Sequence, residues 1–325
     1  MNSLYPLKFT PIIVDKIWGG RKLHTILKKN TSSDKAGESW EISGVKENVS
    51  VVSEGFLWGN NLQELIEIYM GDLVGDSVFE KFGYEFPLLI KFIDASEKLS
   101  IQVHPDDILA AARHGSFGKT EMWYVIQADV DAEITVGFNR QVSREDYLKH
   151  LNNKTLEDIL NTEKTAEGDV FFLPSGRLHA VGAGILLAEI QQTSDITYRV
   201  YDYDRMDGSG KLRELHTDMA LDAIDFSYYD NYKTVYQKKS DKRIELINCK
   251  YFQTSLFEIG KPVELDYFSK DSFVILICVD GQMKLDYQGG SVGLAKGETI
   301  LIPAVIKNLN LTPLVKSLFL EVWMP

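Results

Sequence analysis

Cysteine is scarce in this chain, and it contains no basic cluster and no long apolar run. The two cysteines, Cys249 and Cys278, lack CxxC spacing, which favours buried thiols in a reducing compartment. The net charge of −12 comes from 35 basic and 47 acidic residues, so a phosphate-backbone-binding surface for nucleic acid is not expected. The longest apolar stretches, such as residues 273–279, are strand-sized and too short to cross a membrane. We therefore predict a cytoplasmic protein without nucleic-acid or membrane partners.

The pattern of apolar residues predicts a mainly β protein with a few helices. At 325 residues the chain exceeds a usual single core, so two packed units are expected. Helical spacing is present at residues 61–70, and an N-cap at Ser143 starts two short helical segments within residues 142–161. Residues 86–93 indicate a buried strand, and nearly everything after residue 245 has a β pattern.

An internal repeat indicates the fold class. Residues 168–174 run Gly, acid, four strand residues and Pro, and residues 297–303 repeat that order. Two β units on one plan predict two cupin-like jelly-roll (double-stranded β-helix) barrels, with a small helical insertion near residues 142–161 in the first. The predicted domains are a catalytic unit at residues 1–240 and a second unit at residues 241–325.

Residues with metal-binding chemistry lie on strand-like segments of the first unit. Gln102 and His104 alternate with apolar neighbours, so both side chains share one face of a strand. Glu121 begins another strand-like run, and His179 follows a sharp turn. A single histidine in a strand is more often a packed core residue, so the prediction rests on the four residues together. Two imidazoles, a carboxylate and an amide oxygen suit a divalent ion, Zn²⁺ first, in an open catalytic site.

The second copy of the repeat lacks these residues. The position of His179, five residues beyond the repeat's proline, is Asn308 in the second copy, and aligning the upstream strands places Ser272 at the position of Glu121. We therefore expect the second unit to bind no metal, and to be structural or to form one wall of the cleft.

Four longer segments carry further motifs. They are KFIDASEKLSIQVHPDD (91–107), GKTEMWYVI (118–126), LPSGRLHAVGAGILLAEIQQTSDITYRVYDYDR (173–205) and LHTDMALDAIDF (215–226). Together they resemble type I mannose-6-phosphate isomerase, most closely the shorter bacterial form of this cupin family. The large helical domain of longer members is represented here only by the segment near residues 142–161, so loop contacts of those longer forms need not transfer.

The resemblance implies a site, position by position. One Zn²⁺ per chain would be bound by Gln102, His104, Glu121 and His179. The implied catalytic residues are Arg199, Lys119 and Glu189. The implied substrate-binding residues are Lys91, Ser100 and Arg205. The implied partner is a small sugar phosphate, and the chain would be a monomer or a homodimer.

The implied reaction interconverts mannose 6-phosphate and fructose 6-phosphate through a cis-enediol(ate). A metal ion polarises the substrate oxygen, and Arg199 and Lys119 stabilise the enediolate charge. The base is either Glu189 or a water on the metal, and the sequence leaves this open. The phosphate would meet charge-assisted donors, with Arg199 and Arg205 first.

Two other functions are compatible with the same residues. An iron-dependent oxygenase could use His104, Glu121 and His179 as a two-histidine, one-carboxylate face, although the usual His-x-Asp/Glu pair is absent. A non-catalytic sugar-phosphate sensor would bind substrate without moving a proton. Deuterium exchange at C2 in heavy water separates a sensor from an isomerase, and oxygen consumption identifies an oxygenase.

Overall fold

Four antiparallel β-sheets, arranged as two pairs, dominate the computed structural model, which describes residues 4–206, 208 and 210–325. The first pair contains β1 (Ile12–Gly20), β2 (Ala36–Ile42), β3 (Leu88–Ala95), β4 (Ile101–Val103), β5 (Glu121–Ala128), β6 (Glu133–Phe138), β7 (Leu160–Lys164), β8 (Val170–Leu173), β9 (His179–Val181), β10 (Ile185–Gln192) and β11 (Tyr198–Tyr201). The second pair contains β12 (Arg243–Asn248), β13 (Gln253–Ile259), β14 (Val263–Asp266), β15 (Val274–Asp280), β16 (Gln282–Tyr287), β17 (Gly290–Ala295), β18 (Thr299–Ile302), β19 (Asn308–Pro313) and β20 (Ser317–Trp323).

The two pairs of sheets share one topology. The first pair has strand orders β1-β2-β3-β10-β5-β8 and β11-β4-β9-β6-β7, and the second has β12-β13-β20-β15-β18 and β14-β19-β16-β17. The order β3-β10-β5-β8 thus corresponds to β13-β20-β15-β18, and β4-β9-β6-β7 corresponds to β14-β19-β16-β17. The predicted mainly β fold with two jelly-roll units is confirmed.

The sheet register corrects one detail of the repeat. Glu121 lies opposite Leu173, whereas the residue opposite Ile302, the repeat counterpart of Leu173, is Val274. The prediction that Ser272 takes the place of Glu121 is therefore wrong by two residues. A shift of two keeps every side chain on the same face, so apolar runs give no warning of it. The second unit has an apolar valine where the first has a buried carboxylate.

The other pair of sheets contains a second correspondence. Gln102 of β4 lies opposite His179 of β9, and Asp266 of β14 lies opposite Asn308 of β19. Asp266 and Asn308 are both exposed. The equivalent position in the second unit therefore offers an exposed Asp–Asn pair where the first unit brings Gln102 against a buried imidazole.

The two units are joined by the outer faces of their larger sheets. Alternate residues of β3, β5 and β10 are packed in one apolar cluster with residues of β13, β15 and β20, among them Ile90, Met122 and Ile190 against Leu256 and Ile277. The opposite faces of β3, β5 and β10 point into the first barrel. These strands are buried on both sides, which explains the nearly continuous apolar sequence at residues 86–93.

Helices are short and lie at the ends of the sheets. They are α1 (Lys22–Thr25), α2 (Leu62–Val74), α3 (Asp76–Phe82), α4 (Asp107–His114), α5 (Arg144–Asn152), a 3₁₀ turn (Leu156–Ile159) and α6 (Thr217–Ala223). The helix predicted at residues 61–70 and the two segments after Ser143 are present, and the Ser143 side chain accepts a hydrogen bond from the Asp146 amide. No helix in the described part of the chain has the length and apolarity needed to span a bilayer.

A buried lysine links the two units. The Lys29 ammonium, on a residue only 6% exposed, donates to Glu41 at 2.6 Å and to the carbonyl oxygen of Gly297 in the second unit. Lys29→Ala leaves the Glu41 carboxylate buried without its cation. We expect a loss of about 3–5 kcal/mol in the free energy of unfolding, measured by urea denaturation.

The matched control is another ion pair between the units. Lys8 and Glu298 lie 3.0 Å apart, but the Glu298 side chain is 44% exposed. Lys8→Ala should cost less than about 1 kcal/mol, because water screens this pair. Equal losses in the two variants would contradict the importance of the buried contact.

Candidate active site and metal centre

Two histidines and a glutamate converge inside the first barrel. His104 Nε2 lies 3.5 Å from Glu121 Oε2, and His179 Nε2 lies 3.4 Å from Glu121 Oε1. One ligand atom from each of the three residues lies within 4.8 Å of the others, and all three residues are buried. Glu121 comes from one sheet and the histidines from the facing sheet, so the fold brings together residues that are distant in sequence.

Hydrogen bonds fix which nitrogen of each histidine faces this point. His104 Nδ1 lies 2.9 Å from the carbonyl oxygen of Ile196, and His179 Nδ1 lies 2.8 Å from that of Arg177. A ring nitrogen beside a carbonyl oxygen carries the proton, so each Nε2 presents its lone pair to Glu121. Burial, and after it the charge of the nearby Lys119 ammonium, lowers the pKa of His104 well below its ordinary value and that of His179 to about 3. Both imidazoles are therefore neutral.

The donors around this point fit a divalent cation. Glu121 Oε1 is buried without a hydrogen-bond partner, although a buried carboxylate oxygen ordinarily has one. The Lys119 ammonium lies 3.0 Å from His104 Nε2 and donates to Glu121 Oε2, so a cation already contacts two of the donors. The Gln102 amide completes the cluster, with its nitrogen 3.2 Å from His179 Nε2. Neutral imidazoles, an orphaned carboxylate oxygen and an amide are ligands that a borderline metal ion accepts.

A cavity of about 300 Å³ opens beside this cluster. We call His104, Glu121, His179 and Gln102 the metal-type cluster. Gln102 and the neighbouring Lys119 line the cavity, so the cluster adjoins the cavity through these two side chains. The cavity is lined by Lys16, Trp18, Glu38, Trp40, Lys91, Ile93, Leu99, Ser100, Gln102, Lys119, Trp123, Val181, Glu189, Asp195, Thr197, Arg199 and Arg213. The lining therefore includes five of the six residues that the resemblance assigned to catalysis or substrate binding.

One wall of the cavity is a row of side chains across four neighbouring strands. Trp40, Lys91, Glu189 and Trp123 lie opposite one another in β2, β3, β10 and β5. The Lys91 ammonium lies 4.9 Å from the centre of the Trp40 ring and 3.3 Å from Glu189 Oε1. Trp123 Nε1 donates to Glu189 Oε2 at 2.8 Å. Burial raises the pKa of Glu189, but Lys119 and Lys91 outweigh it and hold that pKa below its ordinary value, which keeps the carboxylate ionised.

The facing wall is a second row of side chains. Arg199, Gln102 and His179 lie opposite one another in β11, β4 and β9. Ser100 immediately precedes β4 and also lines the cavity. Arg205 is absent from the lining among the described residues, and its guanidinium donates to Asp202 and to the carbonyl oxygen of Lys98. The structure therefore brings together all the predicted site residues except Arg205, which is not among the described residues that line the cavity.

Several cavity residues were not predicted from the sequence. The sequence favours core positions for Trp18 and Trp40, yet both line the cavity as well as being buried. Lys16 and Glu38 each stand two residues before one of these tryptophans, on the same strand face, and lie 3.2 Å apart. The alternation that identified Gln102 with His104 is present in both of these pairs and could have found them. Arg213 gave no such signal.

These features define a cupin whose first barrel holds a two-histidine, one-carboxylate cluster beside a polar cavity, whereas the second barrel lacks it. Comparison with known proteins is more specific. Residues 7–129 match the family described as "Phosphomannose isomerase type I, catalytic domain", and residues 242–316 match "Mannose-6-phosphate isomerase, cupin domain". The chain belongs to the type I phosphomannose isomerase family, which confirms the resemblance seen in the sequence.

Individual relatives match over nearly their whole length. Mannose-6-phosphate isomerase ManA of Bacillus subtilis is 35% identical over 308 residues, which are 92% of this chain and 93% of that protein. Mannose-6-phosphate isomerase of Streptococcus mutans is 34% identical over 294 residues, 90% of each chain. The crystal structure of mannose 6-phosphate isomerase from Bacillus subtilis superposes with a TM-score of 0.89 at 33% identity, covering 98% of this chain and 99% of that one.

Proposed function

We propose that this chain is a metal-dependent isomerase that interconverts mannose 6-phosphate and fructose 6-phosphate, with one Zn²⁺ per chain. The observation that carries the proposal is the convergence of two imidazole lone pairs on the Glu121 carboxylate, one oxygen of which has no hydrogen-bond partner, beside a cavity lined by Lys119, Glu189 and Arg199. The identity of the substrate is inferred from the names of the relatives, and the presence of a metal ion is inferred from the donor atoms of the cluster.

The proposed metal ligands are Gln102, His104, Glu121 and His179. The Gln102 amide would present its oxygen by rotating about its last side-chain bond, since nitrogen and oxygen occupy nearly equivalent places. The backbone carbonyl oxygens that hold each Nδ1 proton orient both rings. When bound, the ion supplies Lewis-acid polarisation of the oxygens on C1 and C2 of the open-chain sugar.

Glu189 is the proposed base. Isomerisation removes a proton from C2 of the aldose and returns one to C1, while a hydroxyl proton passes from O2 to O1. Lys91 and Trp123 orient the Glu189 carboxylate from opposite sides, at 3.3 and 2.8 Å, and hold it ionised at one face of the cavity. A base fixed on one face can serve both carbons of a cis-enediolate in turn.

Arg199 and Lys119 are proposed to stabilise the negative charge that develops on O1 and O2. Their side chains come from the facing walls of the cavity, and both are cationic donors, Lys119 buried and Arg199 partly buried. Such preoriented donors are worth more in a buried site than in solution. Lys91 and Ser100 line the same cavity and are proposed substrate contacts, and the assignment of Arg205 to substrate binding stays a prediction.

The division of labour between the units follows from the same residues. We propose that residues 1–240 form the catalytic domain and residues 241–325 a second cupin domain that binds no metal, because Val274 and Asn308 stand where Glu121 and His179 stand in the first. A cytoplasmic location and a monomeric or homodimeric state stay predictions.

Chelation tests the substrate, the reaction and the cofactor together. Turnover of mannose 6-phosphate, coupled to detection of fructose 6-phosphate, should fall to background after metal removal and return when Zn²⁺ is added. The physical reason is that Glu121 and the histidines can polarise the sugar only through a bound cation. Full turnover by protein in which elemental analysis finds no metal would refute the metal dependence. A metal-loaded protein that never converts the sugar phosphate would refute the activity.

A further inference from the structure

The cavity is cationic although the protein is acidic. Among the described residues that line it, five are cationic, namely Lys16, Lys91, Lys119, Arg199 and Arg213, and three are acidic, namely Glu38, Asp195 and Glu189. The whole chain carries a net charge of −12. A concave site of opposite sign to the rest of the surface concentrates an anionic ligand.

The three lysines have carboxylate partners close by, at Glu38, Glu189 and Glu121. The guanidinium groups share their partner, because Asp202 is the one carboxylate among the described residues that pairs with Arg205 and Arg213. Nε of Arg199 is buried without a hydrogen-bond partner. Unsatisfied positive charge in the cavity therefore belongs to the arginines.

Strand register locates this charge along the cavity. Tyr201 of β11 lies opposite Ile101 of β4, so Asp202 follows at the level of Ser100. Ser100 precedes Gln102 by two residues, roughly 7 Å along an extended chain. Arg213, held by Asp202, thus lies towards the Ser100 end, away from the metal-type cluster. A hexose 6-phosphate likewise carries its phosphate at the opposite end of the carbon chain from C1 and C2.

The two arginines that contact Asp202 differ in their hydrogen bonds to the described residues. All three guanidinium nitrogens of Arg205 donate to protein oxygens, two of them on Asp202 and one the carbonyl of Lys98. Arg213 contacts both carboxylate oxygens of Asp202 through the single nitrogen Nη1, at 3.3 Å each. These are long hydrogen bonds, whereas the Arg205 guanidinium is held through all three of its nitrogens.

We infer that Arg213, oriented by Asp202 and Arg205, receives the phosphate group of the substrate at the Ser100 end of the cavity. Arg205 is then a positioning residue that holds Asp202, and Arg213 takes the contact that the family resemblance assigned to Arg205. The inference rests on the proposed function for the identity of the sugar phosphate, but the phosphate contact itself does not need turnover. Guanidinium groups suit this role because their planar fork matches phosphate oxygens.

The test compares Arg213→Ala with Arg205→Ala in the full-length, metal-loaded protein. Arg213→Ala should raise KM for mannose 6-phosphate about 10- to 100-fold, the loss of one charge-assisted pair, with kcat within about threefold of the parent. Arg213→Lys, which keeps the charge without the fork, should fall between. Arg205→Ala should raise KM less than Arg213→Ala does. Arg140→Ala, an exposed arginine on Asp146, is the control and should change neither constant.

A second measurement separates this inference from the isomerase proposal. Calorimetric titration of the same variants with inorganic phosphate needs no catalysis. The phosphate affinity should fall in Arg213→Ala by a factor similar to the rise in KM. Unchanged phosphate affinity and KM in folded Arg213→Ala and Arg213→Lys would overturn the inference, as would a larger effect of Arg205→Ala. Phosphate binding that depends on Arg213 in a protein without isomerase activity would uphold the contact and refute the proposed reaction.

Discussion

Replacing His179 by alanine should abolish both metal retention and turnover while the protein stays folded. His179 supplies one of the two imidazole lone pairs that face Glu121, and its ring is fixed through Nδ1 on the Arg177 carbonyl. Without it the remaining donors cannot close around a cation. We expect the metal content, measured by elemental analysis, to fall from one equivalent to near zero, and turnover to fall by about 10³-fold or more.

The control for this variant is another histidine. His150 lies on α5, where its Nδ1 contacts Thr155, and it is not part of the cluster of His104, Glu121 and His179. His150→Ala should retain metal and activity, and both variants should keep the circular dichroism spectrum of the parent. Turnover in metal-free His179→Ala protein would defeat the proposed mechanism.

Replacing Arg199 by alanine should lower turnover but leave the metal bound. Arg199 lies opposite Gln102 in the sheet and lines the cavity, but it contacts none of His104, Glu121 or His179 among the described hydrogen bonds and ion pairs. Metal content should therefore stay at one equivalent. Loss of a preoriented donor to the developing enediolate charge should lower kcat by about 10²- to 10³-fold.

Arg144→Ala is a suitable comparison, because Arg144 is an exposed arginine on the helical insertion, 3.7 Å from Asp222. It should leave kcat and metal content at parental values. If Arg199→Ala retains both metal and rate, the role proposed for that guanidinium is wrong, whatever the outcome for His179.

The sequence predicted those parts of the molecule that depend on local pattern. Ser143 with its early acids located α5, and the two-residue alternation of Gln102 and His104 put both on one strand face. The Gly-to-Pro repeat predicted the duplicated barrel. In the structure each copy begins with a glycine at positive φ and contains an edge strand of its sheet, β8 in the first unit and β18 in the second.

What the sequence did not show depends on pairing between distant segments. The counterpart of Glu121 was misplaced because a slip of two residues leaves the apolar pattern of a strand unchanged. No pattern in the sequence marks Arg213, which pairs with Asp202 and lines the cavity. The sequence could not show whether Trp18 and Trp40 belong to the core or to the cavity. In this barrel the inward face of each strand does both, so the two side chains are buried and also line the cavity.

The packing of the larger sheets against each other has a consequence for any shortened form of the protein. The strands that carry Glu121 and Glu189 are shielded from water on their rear side by the second barrel. Cutting the chain near residue 240 would remove the second barrel and expose the apolar outer face of the sheet to water. It would also raise the effective dielectric constant around the charged residues on the inner face. We expect such a fragment to aggregate rather than to work as a smaller enzyme. The second barrel thus keeps water away from the rear of the sheet that carries Glu121 and Glu189.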